Sequence, residues 1–164
     1  MLLVDSREHK SERDRVTATF DAEGVEYSIT KLFIGDYMEF TNPSVIVDRK
    51  QTIAELVKNC TDNRKKGQQH RSEVDRFKAE LERAKSVGAT LVILVEQNRY
   101  KDRERWIHVD TIEDLMLWSS PHTTIRGEKV YRVLRAWMAK YPIRVEFCDK
   151  RQTGRRILEI IYGD

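Results

Sequence analysis

Apolar and polar positions along this chain fall into short runs, some with a period near two and others with a period near 3.6. Leu2-Leu3-Val4 is an apolar run stopping at Asp5, the pattern of a buried strand. Val16 and Phe20 recur one turn apart within Ser11 to Glu23, and Gly24 follows as a stop, which predicts a helix. Tyr27, Ile29 and Phe33 alternate through Glu26 to Phe33 as a strand, with Lys31 breaking the pattern. Short turns at Gly35-Asp36 and Asn42-Pro43 lead into Tyr37 to Phe40 and Ser44 to Val47, so an antiparallel meander is expected there.

A helix is predicted from Thr52, with Thr52 and Glu55 as a capping box and Ile53, Leu56, Val57 and Cys60 as its apolar stripe. Thr61 to Gln69 is polar and basic and reads as a mobile loop. Arg71 to Val87 is a long helix with Val74, Phe77, Leu81 and Ala84 inward, and Gly88 ends it. Ala89 to Val95 is almost wholly apolar and predicts a central strand buried on both faces. Asp110 with Glu113 caps a helix through Trp118. Gly127 to Tyr141 carries a clean helical face. Ile143 to Phe147 alternates as a strand, and Thr153 to Tyr162 is a closing helix. The face with Trp137, Met138 and Tyr141 reads as core. The expected fold is a single α/β domain over residues 1–164, a central mixed sheet flanked by helices on both faces.

Composition narrows the classes. The 164 residues suffice for one core; 40% are hydrophobic and 35% charged, as in a globular chain. The net charge of +3, from 30 basic and 27 acidic residues, says nothing for nucleic acid unless the cations cluster. Two cysteines without ligand spacing, Cys60 and Cys148, fit free thiols in an intracellular protein, and the four histidines show no metal spacing. No signal peptide and no membrane helix are expected.

The informative chemistry lies between Gly35 and Lys50. An acid, Asp36, stands at a turn between strands; Asp48 and Lys50, two apart, leave one face of an extended strand. Phosphodiester hydrolysis needs charge neutralised on the phosphate, an activated water and a stabilised leaving oxygen. Two carboxylates holding Mg²⁺ (or Mn²⁺) supply the first two, and a lysine can orient or deprotonate the water and stabilise developing charge. That is the logic of the PD-(D/E)xK nucleases, although spacing alone fits an exposed, charged strand end as well.

Val4-Asp5-Ser6-Arg7-Glu8, Gly35-Asp36-Tyr37 and Val47-Asp48-Arg49-Lys50 together resemble the nuclease domain of the XPF/Hef family of structure-specific DNA endonucleases. The likeness continues through Arg76-Phe77, Glu80 and Arg83 to Leu91 through Glu96. The remainder is similar to the small phage and bacterial members. The resemblance implies a restriction-endonuclease-like core, dependence on a divalent metal, and cleavage of branched or flapped DNA. It implies Asp5 and Glu8 at the rim of the site, Asp36 and Asp48 as metal ligands, Arg49 contacting phosphate or bracing the site, and Lys50 as the catalytic lysine. Asp48 stands where the family usually has Glu. The final Asp of the family signature falls at Ala54, beside Glu55. The helix-hairpin-helix domain of larger relatives has no counterpart in these residues.

Arg64, Lys65, Lys66 and Arg71 are expected to contact the DNA backbone. Arg99 to Arg105, of mixed sign, reads more as plain surface, and Lys150 to Arg156 as either a phosphate clamp or a solvated helix end. The expectation is therefore a magnesium-dependent DNA endonuclease, cytoplasmic and of bacterial or phage type, with a homodimer as one option. The alternatives are a non-catalytic DNA-binding or scaffold module of the same fold, and a junction resolvase or restriction-type nuclease.

Overall fold

Among the described residues, six strands make one mixed sheet in the order β2-β1-β3-β4-β5-β8, and five helices cover its two faces. The structure, a computed structural model, describes residues 1–61 and 72–163. In chain order the elements are β1 (Leu2–Asp5), α1 (Lys10–Ala22), β2 (Tyr27–Thr30), β3 (Tyr37–Glu39), β4 (Val45–Lys50), α2 (Ile53–Cys60), α3 (Glu73–Ser86), β5 (Thr90–Val95), β6 (Arg99–Asp102), β7 (Arg105–His108), α4 (Gly127–Lys140), β8 (Ile143–Phe147) and α5 (Thr153–Tyr162). Strands β6 and β7 form a separate hairpin.

Residue parity along the central strands divides the core. Ile46, Leu91, Ile93, Val95 and Ile143 pack with α2, α3 and α4; Val47, Val92 and Leu94 pack with Val16, Phe20, Ile157 and Ile160 of α1 and α5. Strand β5 is thus sealed on both sides, as its unbroken apolar run predicts: Leu91 to Val95 are all fully buried. Helices α1 and α5 approach closely at Gly154, where a Cβ would lie 2.6 Å from the Thr19 side chain and 2.9 Å from the Val16 carbonyl. Trp137 and Tyr141 are buried as expected, while Met138 is exposed, and both cysteines are free and buried.

Half of the expected meander forms: β3 and β4 pair antiparallel, but β2 does not pair with β3. Strand β2 lies outside β1 and runs parallel to it, while β3 enters between β1 and β4, antiparallel to both. The reason lies at residues 31–36. Leu32 and Ile34, not Phe33, are buried, and the Asp5 carboxylate accepts the Leu32 N–H (3.0 Å), so the segment crosses over the end of β1 instead of turning back. Phe33 is 87% exposed. The helix expected from Asp110 through Trp118 is a single 3₁₀ turn over Ile112–Leu115, with Thr111 as its cap and Asp114, not Glu113, as the reciprocal acid. Thr52 does cap α2 by accepting the Glu55 N–H, but Glu55 reaches back to the Gln51 N–H, one residue further out than a capping box requires. None of the described helices is long and apolar enough to cross a membrane.

Candidate active site

The carboxyl ends of β1 and β4 and the start of β3 meet at one end of the sheet, and Asp36 sits at their junction. Its N–H donates to the Val47 carbonyl (2.8 Å) and its carbonyl accepts the Asp5 N–H (2.8 Å). Gly35 makes this possible. Its φ is +61°, and a Cβ there would stand 2.5 Å from Ile46 and 2.8 Å from the Val47 carbonyl, so no other residue fits. One oxygen of the Asp36 carboxylate accepts the Arg49 N–H at 2.7 Å.

Alternation then sorts β4. Asp48 and Lys50 share the parity of Ile46 and point to the side of α2 and α3; Arg49 points the other way. Lys50 Nζ lies 2.9 Å from Asp48 Oδ2 and donates to Oδ1 at 3.2 Å, with the Phe77 ring of α3 5.3 Å away. From α3, Glu80 accepts the Gly35 N–H at 2.6 Å. These residues line an open cleft of about 360 Å³, together with Asp5, Glu8 and Asn59. Arg7, Arg76 and Arg83 stand around it, with exposed Phe33 on its wall.

The cleft is short of positive charge. Burial first, then the neighbouring Asp48 and Glu8 carboxylates, push the Asp36 carboxyl well above the ordinary carboxylate range, against the pull of Lys50 and the Arg49 N–H. Glu80 is raised by burial and by Asp48. Glu8 is raised too, because burial outweighs its pairing with Arg49. Burial alone would make Lys50 easier to deprotonate, but Asp48 and Asp36 outweigh it, and its pKa lies above that of a free lysine. Among the described residues, Asp48 Oδ2 and Asn59 Oδ1 are buried without a well-formed hydrogen bond. The ion pair from Lys50 touches the former without the alignment of one.

Behind β4 the arrangement is the reverse. Arg49 donates to Glu8 from Nε (2.8 Å) and a terminal nitrogen (2.6 Å), and to Glu96 from the other (2.6 Å). Glu96, wholly buried, also accepts from Arg15 (2.6 Å) and from the Thr153 hydroxyl (2.7 Å), and Arg15 pairs in turn with Glu12.

The structure thus brings Asp36, Asp48, Lys50 and Glu8 together. Asp5 lines the same cleft, but its carboxylate is held by the Arg7 guanidinium and the Leu32 N–H. Arg49 lies behind the cleft, paired with Glu8 and Glu96. Arg64, Lys65, Lys66 and Arg71 lie outside the described residues. The charges of the 150–156 stretch are largely matched, Arg151 by Asp149 and Arg156 by Glu146 and Glu159. Glu80 and Glu96 carry roles that spacing alone did not reveal. The available signals were an acid beside the Phe77-Leu81-Ala84 stripe of α3 and an acid closing the apolar run of β5. Among the described residues, no group of three or more His, Cys, Asp or Glu side chains is arranged to hold a metal ion.

Comparison with known proteins accords with this fold. A structure of XPF from Aeropyrum pernix superposes with a TM-score of 0.64 at 21% sequence identity, over 98% of this chain and 59% of that one, and so shows the fold. The chain therefore spans little more than half of that relative's length. No curated protein matches the sequence. The family model described as the ERCC4 domain matches residues 4–160. Nearly the whole chain is covered, and it belongs to the ERCC4-domain family.

Proposed function

We propose that this chain is a divalent-metal-dependent endodeoxyribonuclease that hydrolyses phosphodiester bonds in branched, flapped or junction DNA. The observation that carries the reading is the charge imbalance of the cleft, where Asp36, Asp48, Glu8 and Glu80 surround the single ammonium of Lys50 and the carboxyls of Asp36, Glu8 and Glu80 are raised by burial and by the Asp48 charge. A divalent cation is the species such a site favours, because every carboxylate it neutralises is otherwise costly to ionise. The donor set fits Mg²⁺ or Mn²⁺: it is all oxygen, and Mg²⁺ commonly takes one or two carboxylates and keeps waters and phosphate oxygens for the rest. The buried Asp48 Oδ2, with no well-formed hydrogen bond, is available for it.

When bound, the ion would supply positive charge opposite the scissile phosphate and acidify water beside it. Asp36 and Asp48 are its ligands in this reading. Lys50, held charged by Asp48 and Asp36, would donate to a phosphate or leaving oxygen, or take a proton from the water once the ion has taken up those carboxylates. Arg49 braces Glu8 from behind and touches no phosphate. Arg7, Arg76 and Arg83 would contact the DNA backbone around the cleft, giving affinity without sequence preference. Arg64, Lys65, Lys66 and Arg71 extend that set on sequence grounds. A homodimer and a cytoplasmic setting complete the proposal.

A cleavage assay over labelled flaps, forks, bubbles and four-way junctions tests it. Cutting is expected with Mg²⁺ or Mn²⁺, with Ca²⁺ supporting binding only, and chelator should abolish it. Full-rate cutting in chelator overturns the metal role. Tight binding without cutting of any substrate favours the non-catalytic module, and equal cutting of plain duplex favours a restriction-type enzyme.

A further inference from the structure

A second groove, of about 210 Å³, opens beside the β6–β7 hairpin and is lined by Glu96, Asn98, Arg99, Trp106 and Lys150, among others. It adjoins the candidate active site. Glu96 lines this groove, Glu8 lines the catalytic cleft, and Arg49 bonds to both. The hairpin itself leaves the end of β5 directly after Glu96, where Val95 pairs with Lys50.

The register of the hairpin sorts its side chains into two faces. Tyr100 pairs with Ile107; Tyr100 is buried and Ile107 packs against the core. Arg99 pairs with His108 and Lys101 with Trp106, which puts these four on the opposite, outer face. All four are exposed, and Trp106 is 59% so. The Arg99 guanidinium sits 4.6 Å from the Trp106 ring centre. The inner face explains why the hairpin folds; it does not explain a tryptophan on the outer one. Trp106 has no apolar partner across the hairpin, where Lys101 stands opposite, so the face does not offer the apolar patch a protein partner would bury.

We infer that the outer face of the β6–β7 hairpin is a platform for an unpaired DNA strand, with Trp106 stacking a base and Arg99 and Lys101 holding its phosphates. An aromatic ring flanked by cations is the pairing that single strands use, since every base offers a π-face and the backbone carries charge throughout. Arg103 and Arg105 add cations near the turn, against the carboxylates of Asp102 and Glu104. Duplex DNA fits poorly, because its base faces are already stacked. The inference rests on the proposed DNA substrate, and it gives a nuclease acting where double strands part a place to hold the released strand.

The test uses the full chain in chelator, with a 12-nucleotide oligothymidylate and a blunt 12-base-pair duplex as probes. Trp118 and Trp137 are buried, so quenching of tryptophan fluorescence reports mainly on Trp106. The single strand should quench the wild type. Trp106→Ala should lose that quenching and bind the single strand roughly five- to hundredfold more weakly, the range for removing one base–aromatic stack. Trp106→Phe should retain most of the affinity, and duplex binding should change less than about twofold in both. Arg99→Ala with Lys101→Ala should flatten the salt dependence of single-strand binding by about 0.7 in slope for each phosphate no longer neutralised. No binding of the oligonucleotide, unchanged affinity in Trp106→Ala, or an equal loss on duplex overturns the inference. So does a shift in the sedimentation of the free chain on Trp106→Ala, which would make this face an interface between copies. Cleavage of flaps with Mg²⁺ is scored separately. A wild type that shows the binding pattern but cuts nothing sinks the nuclease reading and leaves the platform standing.

Discussion

The two sides of strand β4 carry the same kinds of residue and do opposite things with them. Behind the strand, Arg49 and Arg15 are matched by Glu8, Glu96 and Glu12, with Thr153 completing the bonds to Glu96. In front, Asp36, Asp48 and Glu80 share one lysine; the carboxyls of Asp36 and Glu80 are pushed up, and an Asp48 oxygen is left without a good hydrogen bond. A closed network of buried charges is a structural brace, while an unbalanced one in a cleft is a candidate site for a charged ligand. One residue step along an extended strand separates the two roles.

The largest effect should come from breaking the brace. Glu96→Ala leaves Arg49 and Arg15 each short of a carboxylate at a wholly buried position, and leaves the Thr153 hydroxyl only the Lys150 carbonyl as acceptor. It should cost about 3–5 kcal/mol, the usual scale for removing one partner of a buried pair. Chemical denaturation measures it, and a loss below about 1 kcal/mol, the worth of an exposed pair, would show that the network braces nothing.

Breaking the front should do the reverse. Asp36→Asn removes a charge that burial and two neighbours make costly, yet keeps an oxygen for the Arg49 N–H. Cleavage should fall by at least about 10²- to 10³-fold, the scale for removing one group that stabilises charge in the transition state. The melting temperature at neutral pH should rise, as expected where function holds a site in a strained state. A variant that cuts normally, or that melts earlier, would erase the contrast between the two sides.

How much of this was legible in the sequence follows the same division. Alternation within β4 predicts that Asp48 and Lys50 share a face, and the apolar run of β5 predicts its burial, because both patterns are local. The placement of β2 was not legible, since Tyr27, Ile29 and Phe33 alternate like a core strand. What decides it is the Asp5 bond to Leu32, twenty-seven residues away. The β6–β7 hairpin hid for a different reason: in Arg99 to His108 the inward face is only Tyr100 and Ile107, and charge masks the period. Partners across long loops, such as Glu80 with Gly35 and Glu96 with Arg49, are set by tertiary packing and have no periodic signature.

A pH series sharpens the comparison without mutation. Metal ligands must be ionised, so cleavage should climb as Asp36 loses its proton, by up to about tenfold per pH unit per proton. Stability should move the other way. The folded-state pKa values of Asp36, Glu8 and Glu80 lie above the ordinary range. Their contribution is therefore present in full below about pH 4 and lost as pH rises through the raised values. Melting followed across this window, in wild type and Asp36→Asn, should show a smaller decline in the variant. Parallel curves would mean that Asp36 titrates as an ordinary carboxylate.

The smallest effect should come at the residue that belongs to both sides. Glu8 accepts two bonds from Arg49 behind the strand, and its charge raises the Asp36 pKa in front. Its own pKa is raised, so at neutral pH its ionised form costs the fold more than Arg49 returns. Glu8→Gln keeps an acceptor for Arg49 and removes the charge. The two consequences oppose each other in stability, and the net change should stay within about 1 kcal/mol, the net worth of one ordinary hydrogen bond. Relieved of one like charge, Asp36 should ionise at lower pH, so the rising limb of the cleavage profile should shift to lower pH while its shape persists. The maximal rate reports which side dominates. If Glu8 only braces Arg49, it changes little; if Glu8 helps hold the cation, it falls about tenfold or more, as metal-supporting residues do. A profile that does not shift would show that Glu8 and Asp36 do not feel each other, and the front and back of β4 would then be electrically separate.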